Sequence, residues 1–295
     1  MKTVKIKTNF SSINLHIYEA ETPKAIIFII HGMKEHYLRY EQFIDYLVSN
    51  NYSVAIANLR GHGDDAKELG FIEGNKPWQT ILDDQEAIYN YLKNEYNLNI
   101  HLFAHSMGSI IARNIIIDNK CHFQKIILCG APAYTSKVIF GLIMVNLLGK
   151  IKGEHYVSKF LENNTSASYV KAIKNSNSTY DWLSYNQQNI LNYKNDPLCN
   201  IPFSISAYKA LFHLLYDMQH KKKKKINSCK KILFIAGQDD PCIGNIKGLK
   251  ASIKNLNKRL NIDIDYITYK NMRHEILNED NFLSIYKDVI KFLEK

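Results

Sequence analysis

In the stretch "FAHSMGS", residues 103–109, Ser106 follows an apolar run and precedes a helical pattern that starts at glycine. A serine hydroxyl is a poor nucleophile until a base removes its proton, so its role depends on what else the chain supplies. His274, in "YKNMRHEILNED", is the candidate base. Asp239 and Asp240, in "LFIAGQDDPCIG", compete to be the acid that fixes its tautomer. "IIHGMKEHYLRY" sets Gly32 and Met33 where an apolar run gives way to a loop, which offers the Met33 amide as one donor to an oxyanion. The amide of Met107, at a helix start, is the second. Serine, acid and histidine in that chain order suit acyl transfer. In the plainer reading, the same residues make a strand-end turn, a helix cap and a loop.

These residues work together only if the elements around them bring them to one edge. Short apolar runs at "AIIFII" (25–30), "YSVAIANL" (52–59), "IHLFA" (100–104), "KIILCG" (125–130), "KILFIAG" (231–237) and "IDYITY" (264–269) alternate with amphipathic stretches. Runs apolar on both faces suit a parallel sheet covered by helices. "VKIKTNF" and "INLHIYEA" instead alternate at period two, and predict an antiparallel hairpin at one edge of that sheet. The helical patterns include "RYEQFIDYLVSN", with Tyr40, Phe43, Ile44 and Leu47 on one face, and the closing "FLSIYKDVIKFLEK". A β-α-β-α series predicts a doubly wound α/β sheet. Residues 134–225 break the rhythm with helical, aromatic and polar sequence, and are expected to form a helical cap inserted into a core of residues 1–133 and 226–295.

Composition narrows the alternatives. A chain of 295 residues that is 46% hydrophobic can bury a large core. Its five cysteines contain no C-x-x-C pair, which argues against a disulfide framework and suits a reducing compartment; the expected location is cytoplasmic. No apolar run reaches the roughly 20 residues of a membrane-spanning helix, and the first residues lack a signal-peptide pattern. Part of the net charge of +10 lies in the run Lys221 to Lys225, a solvated loop or a contact for an anionic membrane surface. No zinc-finger spacing, P-loop, G-x-G-x-x-G or H-E-x-x-H occurs, so neither nucleic acid, cofactor nor metal is expected.

The stretches "HGMKEHYLRY", "NLRGHGDD", "AHSMGS", "GQDDP" and "RHEILNE" resemble the α/β-hydrolase superfamily, specifically its monoacylglycerol lipase and lysophospholipase group. The resemblance implies an α/β-hydrolase fold. It implies Ser106 as nucleophile, His274 as base and Asp240 as acid, three positions after Gly237, with the Met33 and Met107 amides as oxyanion hole. The implied activity is hydrolysis of a carboxylic ester through an acyl-enzyme, most naturally of a small-molecule monoacyl lipid. A thioesterase, a peptidase or an inactive acyl-binding protein uses the same frame. Ala104 departs from the usual glycine two positions before the serine, and Asn58 stands where relatives often have aspartate. His36, Arg39 and Tyr40 are expected to brace the oxyanion loop, Arg60 and His62 to support the same region, and His105 to be a satisfied core histidine. The apolar stretch "VIFGLIMVNLLGKI" in the cap is expected to line an acyl tunnel over Ser106.

Overall fold

Eight strands form one sheet in the order β1-β2-β4-β3-β5-β6-β7-β8. They run β1 Lys2–Lys7, β2 Ser12–Tyr18, β3 Ala25–Ile30, β4 Tyr52–Ala57, β5 Ile100–His105, β6 Lys125–Cys129, β7 Lys231–Gly237 and β8 Ile264–Tyr269. This is a computed structural model, and it describes residues 1–221 and 231–295, with backbone only at 166 and 167. The lysines after Lys221, Cys229 and the far end of the expected cap lie outside the described residues. Strands β3 to β8 pair in parallel; β1 and β2 form the antiparallel edge hairpin, and β2 joins β4 antiparallel.

The all-apolar strands sit where both faces are covered. In β3, Ile26, Phe28 and Ile30 face one core while Ile27 and Ile29 face the other, as period two requires. Helices α1 (Glu41–Ser49) and α9 (Phe282–Glu294) cover the second face. Helices α2 (Pro77–Glu95), α3 (Met107–Asp118) and α8 (Asn245–Leu260) cover the first. The α1 stripe behaves as its spacing predicts, with Tyr40, Phe43, Ile44 and Leu47 all buried. β8 differs from the expectation of a strand buried on both faces: it is partly exposed along its length because it closes the sheet at an edge.

Between β6 and β7 come α4 (Lys137–Lys152), α5 (Lys159–Asn164), a 3-10 turn at Ser166–Ala172, α6 (Gln187–Asn195) and α7 (Ile205–His220). The described part of this insertion contains no strand, only an isolated bridge between Val157 and Ser204. Helix α7 packs against α2, α3 and α4, and the Asn114 amide on α3 donates to the Leu214 carbonyl at 2.9 Å, tying the insertion to the sheet's covering helices. Helix α4 buries only Val138, Gly141 and Val145. Its Phe140, Ile143 and Ile151 are 57%, 60% and 65% exposed, so its outer face is an unpartnered apolar stripe.

Candidate active site

Ser106 is the pivot between β5 and α3, at φ 51° and ψ −117°, a backbone region that a side chain of L-configuration occupies only under strain. Three hydrogen bonds hold it there. The Ser106 amide donates to the Cys129 carbonyl at 2.9 Å, and both the amide and the hydroxyl of Ser109 donate to the Ser106 carbonyl at 2.9 and 2.7 Å. Gly108 lets α3 lie against β3, since a Cβ there would stand 2.2 Å from the Ile30 carbonyl oxygen. Ala104, where the usual pattern has glycine, is fully buried in the core on the α3 side of the sheet, on a strand paired with β3 and β6.

His274 and Asp240 arrive at the same edge from the loops after β8 and β7. The His274 Nε2 lies 2.8 Å from the Ser106 hydroxyl oxygen, and its Nδ1 lies 2.9 Å from Asp240 Oδ2. The other Asp240 oxygen accepts the Cys242 amide at 2.8 Å, which caps the 3-10 turn at Pro241–Ile243 and fixes the carboxylate. Asp239 points away, exposed, and accepts the Tyr185 hydroxyl at 3.1 Å. Burial disfavours a charged His274, but the Asp240 carboxylate and its hydrogen bond more than offset this, and the pKa is raised. Such a chain of groups can carry a proton from the hydroxyl to Nε2 while Nδ1–H stays on the carboxylate.

The loop after β3 approaches closely: a Cβ on Gly32 would lie 3.2 Å from that of Ser106. Met107 opens α3, and Met33 borders the same space as Ser106. The loop is braced by Glu35, a residue the motif contains but its chemistry alone does not single out. Glu35 accepts the Gly32 amide at 2.5 Å and the Tyr40 hydroxyl at 2.8 Å. Burial opposes its charge, yet His105 and Arg39 hold its pKa down to about 2. Arg39 also pairs with Glu275 at 2.5 Å, and His36 with Asp196 at 2.7 Å, so these residues do brace the loop. His62 belongs to this region through its ring contact with His31. Arg60 does not: it binds Asp84 on α2 and Thr8 and Ser11 at the hairpin turn. His105 is buried with its pKa pushed down to about 4, by burial and then by His274, and its Nδ1 has no hydrogen-bond partner among the described residues, so it is not the satisfied histidine expected. Asn58 donates to Asp64 and Asp65 at 3.3 and 2.9 Å, which an aspartate at that position could not do.

Two cavities meet at Ser106. One, of about 340 Å³, is lined mainly by apolar side chains, among them Ile110, Val138, Leu211, Phe212 and Leu215. The other, of about 210 Å³, takes its polar character from His274, Lys34, Glu162, Thr179, Tyr180 and Asn200, set beside the apolar Leu183 and the ring of Tyr193. Met33, Ser106 and Trp182 line both, and the Trp182 ring lies 4.9 Å from that of His274. The expectation that the apolar cap stretch lines an acyl tunnel is corrected: α4 contributes only Lys137 and Val138, and α7 builds the wall, because α4 lies on the outside of α7. Potential metal ligands gather at His36, Asp196 and Cys199, and at Asp240, Cys242 and His274, within 4.8 Å in each group. In each group the histidine and the carboxylate are already hydrogen-bonded to each other.

A family model described as serine aminopeptidase, S33 (Hydrolase_4), matches residues 21–281. The chain belongs to this family. It is 32% identical over 95 residues to phospholipase YtpA of Bacillus subtilis, covering 32% of this chain and 35% of that protein. It is 30% identical over 142 residues to the monoglyceride lipase of Homo sapiens, covering 44% and 46%. The matched stretches thus span between a third and a half of these relatives. Across nearly the whole chain the fold is similar to a thermostable carboxyl esterase from Bacillus coagulans, with a TM-score of 0.88, 21% identity and coverage of 99% and 97%. A lipase in an open form also aligns with a TM-score of 0.88, at 20% identity and coverage of 99% and 98%. The architecture is the α/β-hydrolase fold.

Proposed function

We propose that the protein is a serine carboxylic ester hydrolase that works through an acyl-enzyme on monoacyl lipids. One observation carries this reading: the hydroxyl hydrogen-bonded to a buried histidine–carboxylate pair stands where an apolar and a polar cavity meet. A substrate with one acyl chain and one hydrophilic alcohol matches that division. Ser106 attacks the ester carbonyl as His274 takes its proton, and Asp240 keeps the imidazole in the productive tautomer. The Met33 and Met107 amides receive the oxyanion. The protonated His274 then gives its proton to the departing alcohol. Water, deprotonated by the same histidine, releases the fatty acid and restores Ser106. No cofactor enters this scheme.

We take residues 134–225 as a cap over a core of residues 1–133 and 226–295. On this reading the outer stripe of α4 rests on an anionic lipid surface: its apolar side chains are exposed and Lys137, Lys150 and Lys152 stand at its ends. No helix among the described residues is long and apolar enough to cross a membrane. The four described cysteines are free and buried, in keeping with action in a reducing cytoplasm.

The test is direct. A fluorophosphonate probe should label the wild-type protein and miss Ser106→Ala, and the same substitution should abolish hydrolysis of acyl esters. Each methylene that enters the apolar cavity is worth roughly 0.8 kcal/mol, so kcat/KM should climb severalfold per methylene until the space is full. Labelling that persists without Ser106, or fastest turnover on acetate esters, would overturn the reading.

A further inference from the structure

The polar cavity contains a charge pair that the ester chemistry does not use. Lys34 follows Met33 in the loop after β3 and adopts φ 60°, a left-handed backbone that holds its side chain inward. Its ammonium is buried and lies 2.5 Å from the carboxylate of Glu162 on α5, with a side-chain exposure of 3% for the lysine. Tyr208 donates its hydroxyl to the same Glu162 oxygen at 2.7 Å, and the ammonium sits 5.4 Å from the centre of the Phe203 ring. The Lys34 carbonyl is fixed as well, accepting the Asn200 amide at 3.0 Å. Burial pushes the lysine's pKa down against the pull of Glu162. A buried ammonium is stable only while such a partner is present.

The cavity's other charges do not alter this balance in favour of anions. Glu35 and Glu275 border it and share the single Arg39 behind them. Among the described residues Lys34 is the one lysine or arginine that lines the cavity; Glu162 already neutralises it, and the carboxylates outnumber it. An alcohol bearing hydroxyls finds donors and acceptors here. One bearing a phosphodiester finds, among the described residues, no unneutralised lysine or arginine, and must either break the Lys34–Glu162 pair or be buried against acidic neighbours. Each course is costly for a charge taken out of water.

We propose that the Lys34–Glu162 pair is a charge filter on the alcohol half of the substrate: it admits an uncharged hydroxylated alcohol and turns away a phosphate-bearing one. This rests on the ester-hydrolase reading above. Glu162 does not reach the reacting atoms; it sets specificity by masking Lys34. Removing its charge while keeping its shape frees a buried ammonium within the alcohol's cavity, and selectivity then moves toward phosphate.

The experiment compares kcat/KM for a 1-monoacylglycerol and for a lysophosphatidylglycerol of the same acyl chain, as a ratio within each variant. Overall losses of activity cancel in that ratio. The wild type should favour the monoacylglycerol. Glu162→Gln should raise the phosphate-to-neutral ratio by at least about tenfold, the size expected when a hydrogen bond to a charged group is gained. Lys34→Met should lower the ratio, and the double variant should lose the gain seen with Glu162→Gln. Tyr208→Phe, which removes a hydrogen bond but no charge, should leave the ratio within about twofold of wild type. An unchanged ratio in Glu162→Gln, or a wild type that prefers the phosphate substrate, overturns the filter. Fluorophosphonate labelling of each variant separates the two readings: labelled protein with an unmoved ratio sinks the filter alone, whereas wild-type protein that resists labelling sinks the ester-hydrolase reading beneath it.

Discussion

Replacing Asp240 by asparagine should disable the protein through the position of one proton. One Asp240 oxygen accepts the Cys242 amide at 2.8 Å and the other faces His274 Nδ1 at 2.9 Å. In Asp240→Asn the amide oxygen keeps the Cys242 bond, so the NH₂ group turns toward Nδ1. Nδ1 must then accept, the ring proton moves to Nε2, and Nε2 can no longer take the Ser106 proton. Both side chains are almost wholly buried, so water cannot stand in for the lost acceptor. The expected loss is on the order of 10⁴ in kcat, as found when a serine-protease triad is trapped in the wrong tautomer. A second readout follows from charge. With Asp240 present the His274 pKa is raised above 6.5, so kcat/KM should fall with decreasing pH through an inflection above that value. Without that carboxylate, burial is opposed only by the more distant Glu275 and Glu35, and the inflection should move down. The sign for stability is opposite. A raised folded-state pKa stabilises fully below the unfolded value and is lost as pH rises through the folded one, so Asp240→Asn should cost more stability at pH 5 than at pH 8. The assay is hydrolysis of a p-nitrophenyl acyl ester across pH, with Asp239→Asn beside it. An unmoved acid limb in Asp240→Asn, or equal losses in the two variants, would refute the reasoning.

Other consequences can be measured independently. Ser106→Gly removes the strained backbone, worth about 1–3 kcal/mol, against a glycine entropy cost of about 0.5–1 kcal/mol. Its melting temperature should therefore rise by roughly 2 °C as activity vanishes, and a fall in calorimetry would count against stored strain. Asn58→Asp places a carboxylate against Asp64 and Asp65 and should cost about 1–2 kcal/mol in urea unfolding; unchanged stability would show that the hydrogen bonds to those acids do not matter. Phe140→Ser combined with Ile143→Ser should abolish cosedimentation with vesicles containing phosphatidylglycerol, while hydrolysis of short dispersed esters persists. Full retention on vesicles would leave the α4 stripe without its lipid contact.

What could be read from the chain followed from how local each cause is. Strands apolar on every residue, such as β3 and β5, announce burial on both faces. The turn residues around Ser106 sit within a few positions of it, so the elbow is visible in seven letters. The choice of Asp240 over Asp239 came from the family spacing after Gly237 and not from the residues themselves: adjacent acids differ only in which one faces the loop after β8, a pairing across 34 residues. The direction of α4's apolar residues was equally hidden, because an apolar helix looks the same whether it is buried beneath the cap or lies outside it. The Lys34–Glu162 pair spans 128 residues and depends on a left-handed turn at a lysine, for which no periodic signal exists. Glu35 stood within a quoted motif, and its position three residues after a loop glycine was the available clue.

Among the described residues the two cavities share only three lining residues, and on the proposed mechanism this shapes what happens between the two half-reactions. On the proposed acyl-enzyme reading the alcohol leaves one chamber while the acyl chain stays in the other, so the alcohol leaves first. The vacated chamber becomes water's way in. Any alcohol able to re-enter it competes with water for the same acyl group, so concentrated glycerol should divert the chain into new ester at the expense of free acid. On the same reading, the balance between hydrolysis and acyl transfer is set by what refills one small chamber.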